Sequence, residues 1–445
     1  MNIAAHAGPG FVNAAGLSFT LAMVLLLLVL PRKYVLVPII VLVCFMTMGE
    51  HLIIAGLNFT MIRVLLIFGW LRLILRGEYR RLRWTTVDKL IIAWVCLRTV
   101  NYVLVWGSSA ALVNRLGYAY DILGSYFLFR FLVRNHQDVY RAIRYLAVFI
   151  APLAAFMIAE KLTGRNSFAI FGATPITEMR EGVVRCQGPF GVSILAGTFA
   201  ATTMPLFVGA WSYRRSAFLF TIAISATLVI TITSGSSGPV LAYAAAVLGL
   251  LFWRFRRNMR MVRWGVVFIL VALQIAMSQP VWFVMARLTV FSGSTGWYRG
   301  FLIDMTVRHF TDWFLIGSNA NAQWHGFLAD VTNQYILEAL DGGLVVAILF
   351  VAILAFSFRE VGRVVLSQRF TPGVRRLAWA MGAALFAHSV SFFSVSYFDQ
   401  NVIVYYLLLA GITVLRVEPH TAPERRHTHS PSRFPSEFPM AELTR

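Results

Sequence analysis

The chain has 445 residues, 58% of them hydrophobic and 13% charged, with a formal net charge of +20. A soluble core of this size has no room for so much apolar surface, so the composition excludes an ordinary globular protein and predicts a polytopic membrane protein. The positive balance would suit a nucleic-acid partner, but the basic residues fall in short clusters between apolar runs, which argues against one.

About thirteen apolar runs read as spans, centred near residues 22, 42, 63, 98, 122, 153, 200, 224, 245, 272, 346, 387 and 408. The expected fold is all-α: a polytopic transmembrane bundle of 12–13 spans within residues 1–415, with a large, partly helical loop before the eleventh span. The first run lacks a basic segment before it, so it is expected to stay as a helix rather than be cleaved. Residues 416–445, rich in Pro, His, Ser and Arg, are expected to form a disordered cytoplasmic tail, with His427 and His429 solvated. Cys44, Cys96 and Cys186 are too scattered for a disulfide framework or a cysteine metal site.

Charge predicts topology. The segments 31–33, 76–89, 134–144, 214–215, 254–263 and 359–376, with the tail 416–445, hold 27 of the 39 Lys and Arg. Only six lie in the opposite loops: Arg165, Arg180, Arg185, Arg287, Arg299 and Arg308. The basic side is expected to be cytoplasmic, which puts loops 164–190 and 280–335 in the periplasm of a double-membrane bacterium. Cys186 would then be a natural probe for an impermeant maleimide.

Charged residues also fall inside runs. Arg115 and Asp121 are six apart and point to different helix faces, so Asp121 is expected to pair with Arg98 or with another helix. In the first outer loop, Arg185 and Gln187 precede Gly188-Pro189 and a helix. Free backbone N–H groups there can face an anion, and an arginine can grip phosphate with its two-pronged fork. A contact with lipid headgroups is the plainer reading. The stretch from Thr233 to Pro239 is glycine-rich but lacks a P-loop lysine, so it reads as a tight interhelical turn.

The 280–335 loop gathers Arg287, Arg299, Arg308, His309, His325, Asp304, Asp312 and Asp330. An arginine and a carboxylate at a membrane surface suit transfer chemistry on a lipid-linked phosphate. Arg299 would stabilise charge on a leaving pyrophosphate, and Asp330 would take a proton from an attacking hydroxyl. A structural salt bridge within the loop is the alternative. HExxH, GxSxG, Walker and Cys–His patterns are absent from the sequence, as is a tight DxD pair.

Taken together, Arg185, Gly188, Ser236, Gly238, Arg299, Gly317, Asn333, Tyr335, Leu340 and Gly343 form an ordered pattern. It resembles the bacterial O-antigen ligase and polymerase superfamily, which includes exopolysaccharide polymerases. The resemblance covers about residues 180–350. It implies a membrane glycosyltransferase of the inner membrane that needs neither metal nor cofactor. The donor would be an undecaprenyl-pyrophosphate-linked glycan, and the acceptor another glycan. Other polysaccharide-export proteins would be its partners, alongside the lipid bilayer. It suggests Asp330, Arg299 and His325 as catalytic residues. Arg185, Gln187, Tyr298, Asn333, Gln334 and Tyr335 would bind substrate. Two positions depart from the pattern. Thr332 stands where many members have a histidine, and Ser237 stands where the turn often has an arginine. A transporter or flippase of lipid-linked glycans, and a non-catalytic assembly protein, are the other classes the sequence admits.

Overall fold

The computed structural model describes residues 13–47, 49–54, 57–213, 216–284 and 296–417. Arg287, residues 293–295 and the tail with His427 and His429 lie outside the described residues. Eleven helices precede the long loop: α1 (Ala14–Val29), α2 (Leu36–Phe45), α3 (Met61–Leu75), α4 (Thr86–Trp106), α5 (Ser109–Ala119), α6 (Ser125–Leu132), α7 (His136–Thr163), α8 (Ser193–Trp211), α9 (Ala217–Thr233), α10 (Ser237–Leu251) and α11 (Met259–Ala276). The loop carries α12 (Gly296–Arg308), α13 (Phe310–Trp313) and α14 (Asn321–Trp324). Then come α15 (Gln334–Leu366), α16 (Pro372–Ser391) and α17 (Gln400–Val417).

Every apolar run is helical, but the runs are not equivalent. Among the described residues six helices are long and apolar enough to cross a membrane: α4, α7, α8, α10 with its following turn, α11 and α15. Three shorter apolar helices, Ala14–Val29, Ala217–Thr233 and Gln400–Arg416, accompany them. The ten residues of α2 rise only about 15 Å, half a hydrocarbon core. The run near residue 122 is split into α5 and α6 by a π-helical turn, Tyr120–Gly124.

The helix ends follow local chemistry. Thr85 and Asp88 form a reciprocal capping box at the start of α4. Asn135 caps α7 by accepting from the Asp138 amide, and Gly164 (φ 67°) ends it in the left-handed region. Two short antiparallel hairpins add a little sheet to the expected all-α fold. These are β1 (His51–Ile54) with β2 (Leu57–Thr60), and β3 (Glu178–Arg180) with β4 (Val183–Arg185). The second turns through Glu181 and Gly182, both at positive φ, as a two-residue hairpin requires.

Helix α8 is the centre of the bundle. Its sequence is rich in Ala, Gly, Ser and Thr, so neighbours approach closely: α9, α10 and α16 pack against it. By contrast, α11 buries no residue against the rest of the chain.

The interior also holds a cluster of four charges. Arg98 Nη1 of α4 lies 3.1 Å from Glu338 and its Nη2 2.5 Å from Asp341, both on α15. Arg115 of α5 reaches Asp341 at 3.0 Å. Trp94 Nε1 donates to Glu338 at 2.9 Å, and Gln334 Nε2 donates to it at 2.6 Å. Two cations and two carboxylates cancel, as burial in an apolar bundle demands. Asp121 does not join them. It pairs with Arg63 of α3 through two bonds of 2.7 and 2.6 Å, so of the two expected partners it takes another helix and not Arg98.

Helix α15 breaks at Gly343 (φ 80°, ψ −175°). The loop fills the break with its own backbone: Ser318 N–H donates to Leu340 O at 2.8 Å and Leu344 N–H to Phe314 O at 2.9 Å. Asn101 Nδ2 caps the Gly342 carbonyl at 2.8 Å. The approach needs glycine on both sides. A Cβ at Gly317 would sit 2.2 Å from Leu340 O, and one at Gly343 2.4 Å from Leu315 O. Gly317→Ala therefore combines a clash with positive-φ strain, worth about 1–3 kcal/mol for the strain alone. It should lower the melting temperature of the detergent-solubilised protein by several degrees. Gly326→Ala is the control, because its Cβ would meet nothing within 4 Å. Equal melting of the two variants would refute the docking.

Candidate functional site

Arg185 ends β4 and is held from two sides. Glu178 stands opposite it in the hairpin register, 3.6 Å from Nη1. Nη2 donates to Ser236 Oγ at 2.7 Å, in the turn between α9 and α10. Gly235 (φ 58°) lets that turn lie against the arginine, since a Cβ there would be 3.1 Å from Arg185 Cγ. The glycine-rich stretch is thus the tight turn its sequence predicts.

The backbone on either side of Arg185 is clamped by the last turn of α7. Lys161 Nζ donates to Val184 O at 2.7 Å. Glu160 accepts from the amides of Gln187 (3.0 Å) and Gly188 (2.8 Å) and from the Thr177 hydroxyl (3.2 Å). The amides expected to be free for an anion are therefore given to a carboxylate of the chain itself. Gln187 is buried there, with its amide committed to Glu160. Cys186 is fully buried as well, and burial pushes its thiol up to about 12. It is inert, not the accessible probe expected of an outer loop.

Arg299 lies on α12, on the face turned inward with Gly300 and Leu302. It is 9% exposed, its Nε has no hydrogen-bond partner, and no carboxylate among the described residues pairs with it. Burial pushes the guanidinium down to about 10, and the neighbouring charge of Arg185 pushes the same way. The fold thus brings together two arginines 114 positions apart in the chain and leaves one of them without a counter-charge. Such a site attracts anions.

The loop's acids are used elsewhere. Asp304 pairs with Arg308 at 2.7 Å. Asp312 accepts from Trp324 Nε1 at 3.1 Å and lies 3.1 Å from His309 Nδ1, whose ring stacks on Trp324 at 4.7 Å. Asp330 is exposed, and its backbone carbonyl accepts from the Tyr298 hydroxyl. That contact sets residue 330 beside the residue preceding Arg299. Burial and the Asp330 charge push the Tyr298 phenol up to about 12. His325 is exposed, with its ring edge-on to Phe301 at 5.4 Å.

The three residues at the start of α15 serve the fold. Asn333 is the helix cap, accepting from the amides of Tyr335 (3.0 Å) and Ile336 (3.3 Å). Asp330 is therefore not the cap of α15. Gln334 bridges Glu338 and the Tyr397 amide. Tyr335 donates to Ser389 O at 2.9 Å and packs on Phe392 and Phe393.

Glu160, Glu338 and Asp341 went unnoticed in the sequence. Glu160 had a signal: it and Lys161 close an apolar run, and adjacent opposite charges there can hold a following loop. Glu338 and Asp341 had another, an acid pair three residues apart within a run, matching two arginines within runs elsewhere. No family model, curated protein or solved structure matches this chain.

The clamp predicts a measurable change at Cys186. In the native detergent-solubilised protein Cys186 should resist maleimide, and it should react once the protein is denatured. Glu160→Gln loses the charge that two amides share, so its Cys186 should label many-fold faster under native conditions. Labelling of wild-type Cys186 as fast as a denatured control would contradict the clamp.

Proposed function

We propose that the chain is a membrane glycosyltransferase of the polysaccharide polymerase or ligase type. The observation that carries this reading is Arg299, buried beside Arg185 with no carboxylate to offset it. The ligand that fits is a pyrophosphate, whose oxygens match two guanidinium forks. The similarity of the 180–350 pattern to the O-antigen ligase and polymerase superfamily makes that pyrophosphate the linkage of an undecaprenyl-linked glycan. The site would face the periplasm from a bacterial inner membrane. The 27:6 distribution of basic residues supports that sidedness.

The reaction follows from these groups. An acceptor sugar hydroxyl attacks the anomeric carbon of the donor. A new glycosidic C–O bond forms as the C–O bond to the pyrophosphate breaks. The lipid pyrophosphate leaves with its charge stabilised by Arg185 and Arg299. The hydroxyl proton passes to Asp330, which is positioned by the Tyr298 contact with its backbone, and His325 is the second candidate. A transport pathway has less to support it. The arginines inside runs four and five are neutralised by Glu338 and Asp341.

Analysis of lipid-linked glycans in cells that depend on this protein tests the roles. Arg299→Lys should lose most long-chain product at normal protein level, because the charge remains but the fork does not. Arg299→Ala should leave unextended lipid-linked glycan, and wild-type product from it would end the proposal. Asp330→Asn should slow transfer by roughly 10²–10⁴-fold. Full activity in Asp330→Asn with loss in His325→Ala would move the proton to His325.

Sidedness has its own test. Arg180 is exposed on β3, and Cys96 is the exposed native thiol. Arg180→Cys in a Cys96→Ser background should label with impermeant maleimide when only the outer membrane is opened. Labelling that waits for inner-membrane lysis would reverse the topology.

A further inference from the structure

The opposite end of α7 holds a second concentration of positive charge that the site above does not use. Four arginines from separate stretches meet around the turn between α6 and α7. Arg32, after α1, donates to Leu132 O at 3.2 Å and lies 3.4 Å from Asp138. Arg80, after α3, donates to the carbonyls of Arg130 (3.3 Å) and Val133 (3.4 Å). Arg134 donates to Glu78 O at 2.5 Å. Arg141 pairs with Asp138 at 2.7 Å and keeps 40% of its side chain exposed.

Counter-charge runs short here. The carboxylate of Glu78 is gripped by both prongs of buried Arg72, at 3.1 and 2.8 Å. Asp88 is gripped in the same way by Arg130, at 3.0 and 3.2 Å. Among the described residues Asp138 is the carboxylate left for the four arginines. The Nε atoms of Arg32, Arg80 and Arg134 are buried and have no hydrogen-bond partner. Burial pushes Arg80 down to about 10, and the charges of Arg130, Arg134 and Arg32 add to the shift. Arg32 is lowered in the same way by burial and by Arg134. Like charges gathered this closely repel, and the cost is largest where water is excluded. A bound anion removes that cost.

We propose that Arg32, Arg80 and Arg134, with Arg141 at the rim, form a binding site for a phosphate-bearing anion. Guanidinium groups with unused donors match phosphate oxygens better than a lone carboxylate does. Two sources present the same chemistry: the headgroup of an anionic phospholipid, and a free phosphate compound. The site lies at the ends of the apolar helices α1, α3 and α6, where a headgroup would sit. It does not depend on the glycosyltransferase reading. Asp138 and Glu160 lie at opposite ends of α7, about 33 Å apart along its axis.

The test titrates full-length protein in neutral detergent at low salt and reads the melting temperature. Phosphatidylglycerol is one probe and inorganic pyrophosphate the other, with phosphatidylcholine as the zwitterionic control. All titrations use the Arg299→Ala protein, so that the outer arginine pair does not contribute. A saturable rise is expected, since a ligand bound to the native state stabilises it. A rise with phosphatidylglycerol alone identifies a headgroup. A rise with pyrophosphate identifies a site open to free phosphates. Arg80→Gln should weaken the apparent affinity at least tenfold, and Arg141→Gln about threefold. If Arg80→Gln fails to fold, the exposed Arg141→Gln decides the matter alone. No saturable rise with either anion, an equal rise with phosphatidylcholine, or unchanged affinity in Arg141→Gln overturns the proposal.

Discussion

Charges buried in an apolar bundle must cancel, and the cluster of Arg98, Arg115, Glu338 and Asp341 meets this constraint with two charges of each sign. Removing one partner of such a group leaves an uncompensated charge and costs about 3–5 kcal/mol. The constraint fixes geometry as well as energy. Glu338 and Asp341 are three residues apart, so α15 must be helical through them to present both to α4 and α5. The helix can break only afterwards, and it breaks at Gly343.

A broken helix in an apolar setting exposes backbone groups that need partners. The loop supplies them through Phe314 O and the Ser318 amide, and α4 supplies Asn101. The docking of the loop thus follows from the break, and the break from the charge cluster. The loop also shares a small apolar core with the first half of α15, made of Leu302, Trp313, Leu328, Ile336, Ala339 and Leu340. Leu302 belongs to α12. Seating it on α15 turns that helix and carries Arg299 inward with it. A cluster far from the loop's surface therefore decides where its buried arginine lies.

Much of this was legible in the sequence, and what was not has a common physical cause. The apolar runs announced helices because hydropathy is a local property. Which helices pair is not local. Arg98, Arg115 and Asp121 were visible as buried charges, but Asp121 pairs with Arg63 of α3. Gly317 and Gly343 were visible as a pattern, while their reason, a backbone contact between the two segments, exists only in three dimensions. The hairpin ending at Arg185 has strands of only three residues, too short to carry a period, although Glu181-Gly182 ahead of Val183-Val184 is a turn signal. The burial of Cys186 was hidden for another reason. Loop position says nothing about the acid, Glu160, that draws the loop against α7.

The 280–335 loop carries three arginines and three aspartates, a balance that on paper would leave no charge over. The fold undoes it. Asp304 pairs with Arg308, only four residues along the same helix, and Asp312 is taken by His309 and Trp324. Arg299, five residues before the nearest of these acids, is buried where the charge of Arg185 acts on it instead. Arg185 has Glu178, but through a 3.6 Å contact on an exposed hairpin, where water screens most of the attraction. The charge cluster of α4, α5 and α15 shows that this chain can match arginine with carboxylate inside the bundle. An arginine left unmatched in a buried position lowers stability, and an anion from outside the chain would remove that cost. The reasoning holds for Arg299 more firmly than for any exposed arginine of the loop, because only burial makes the missing partner costly.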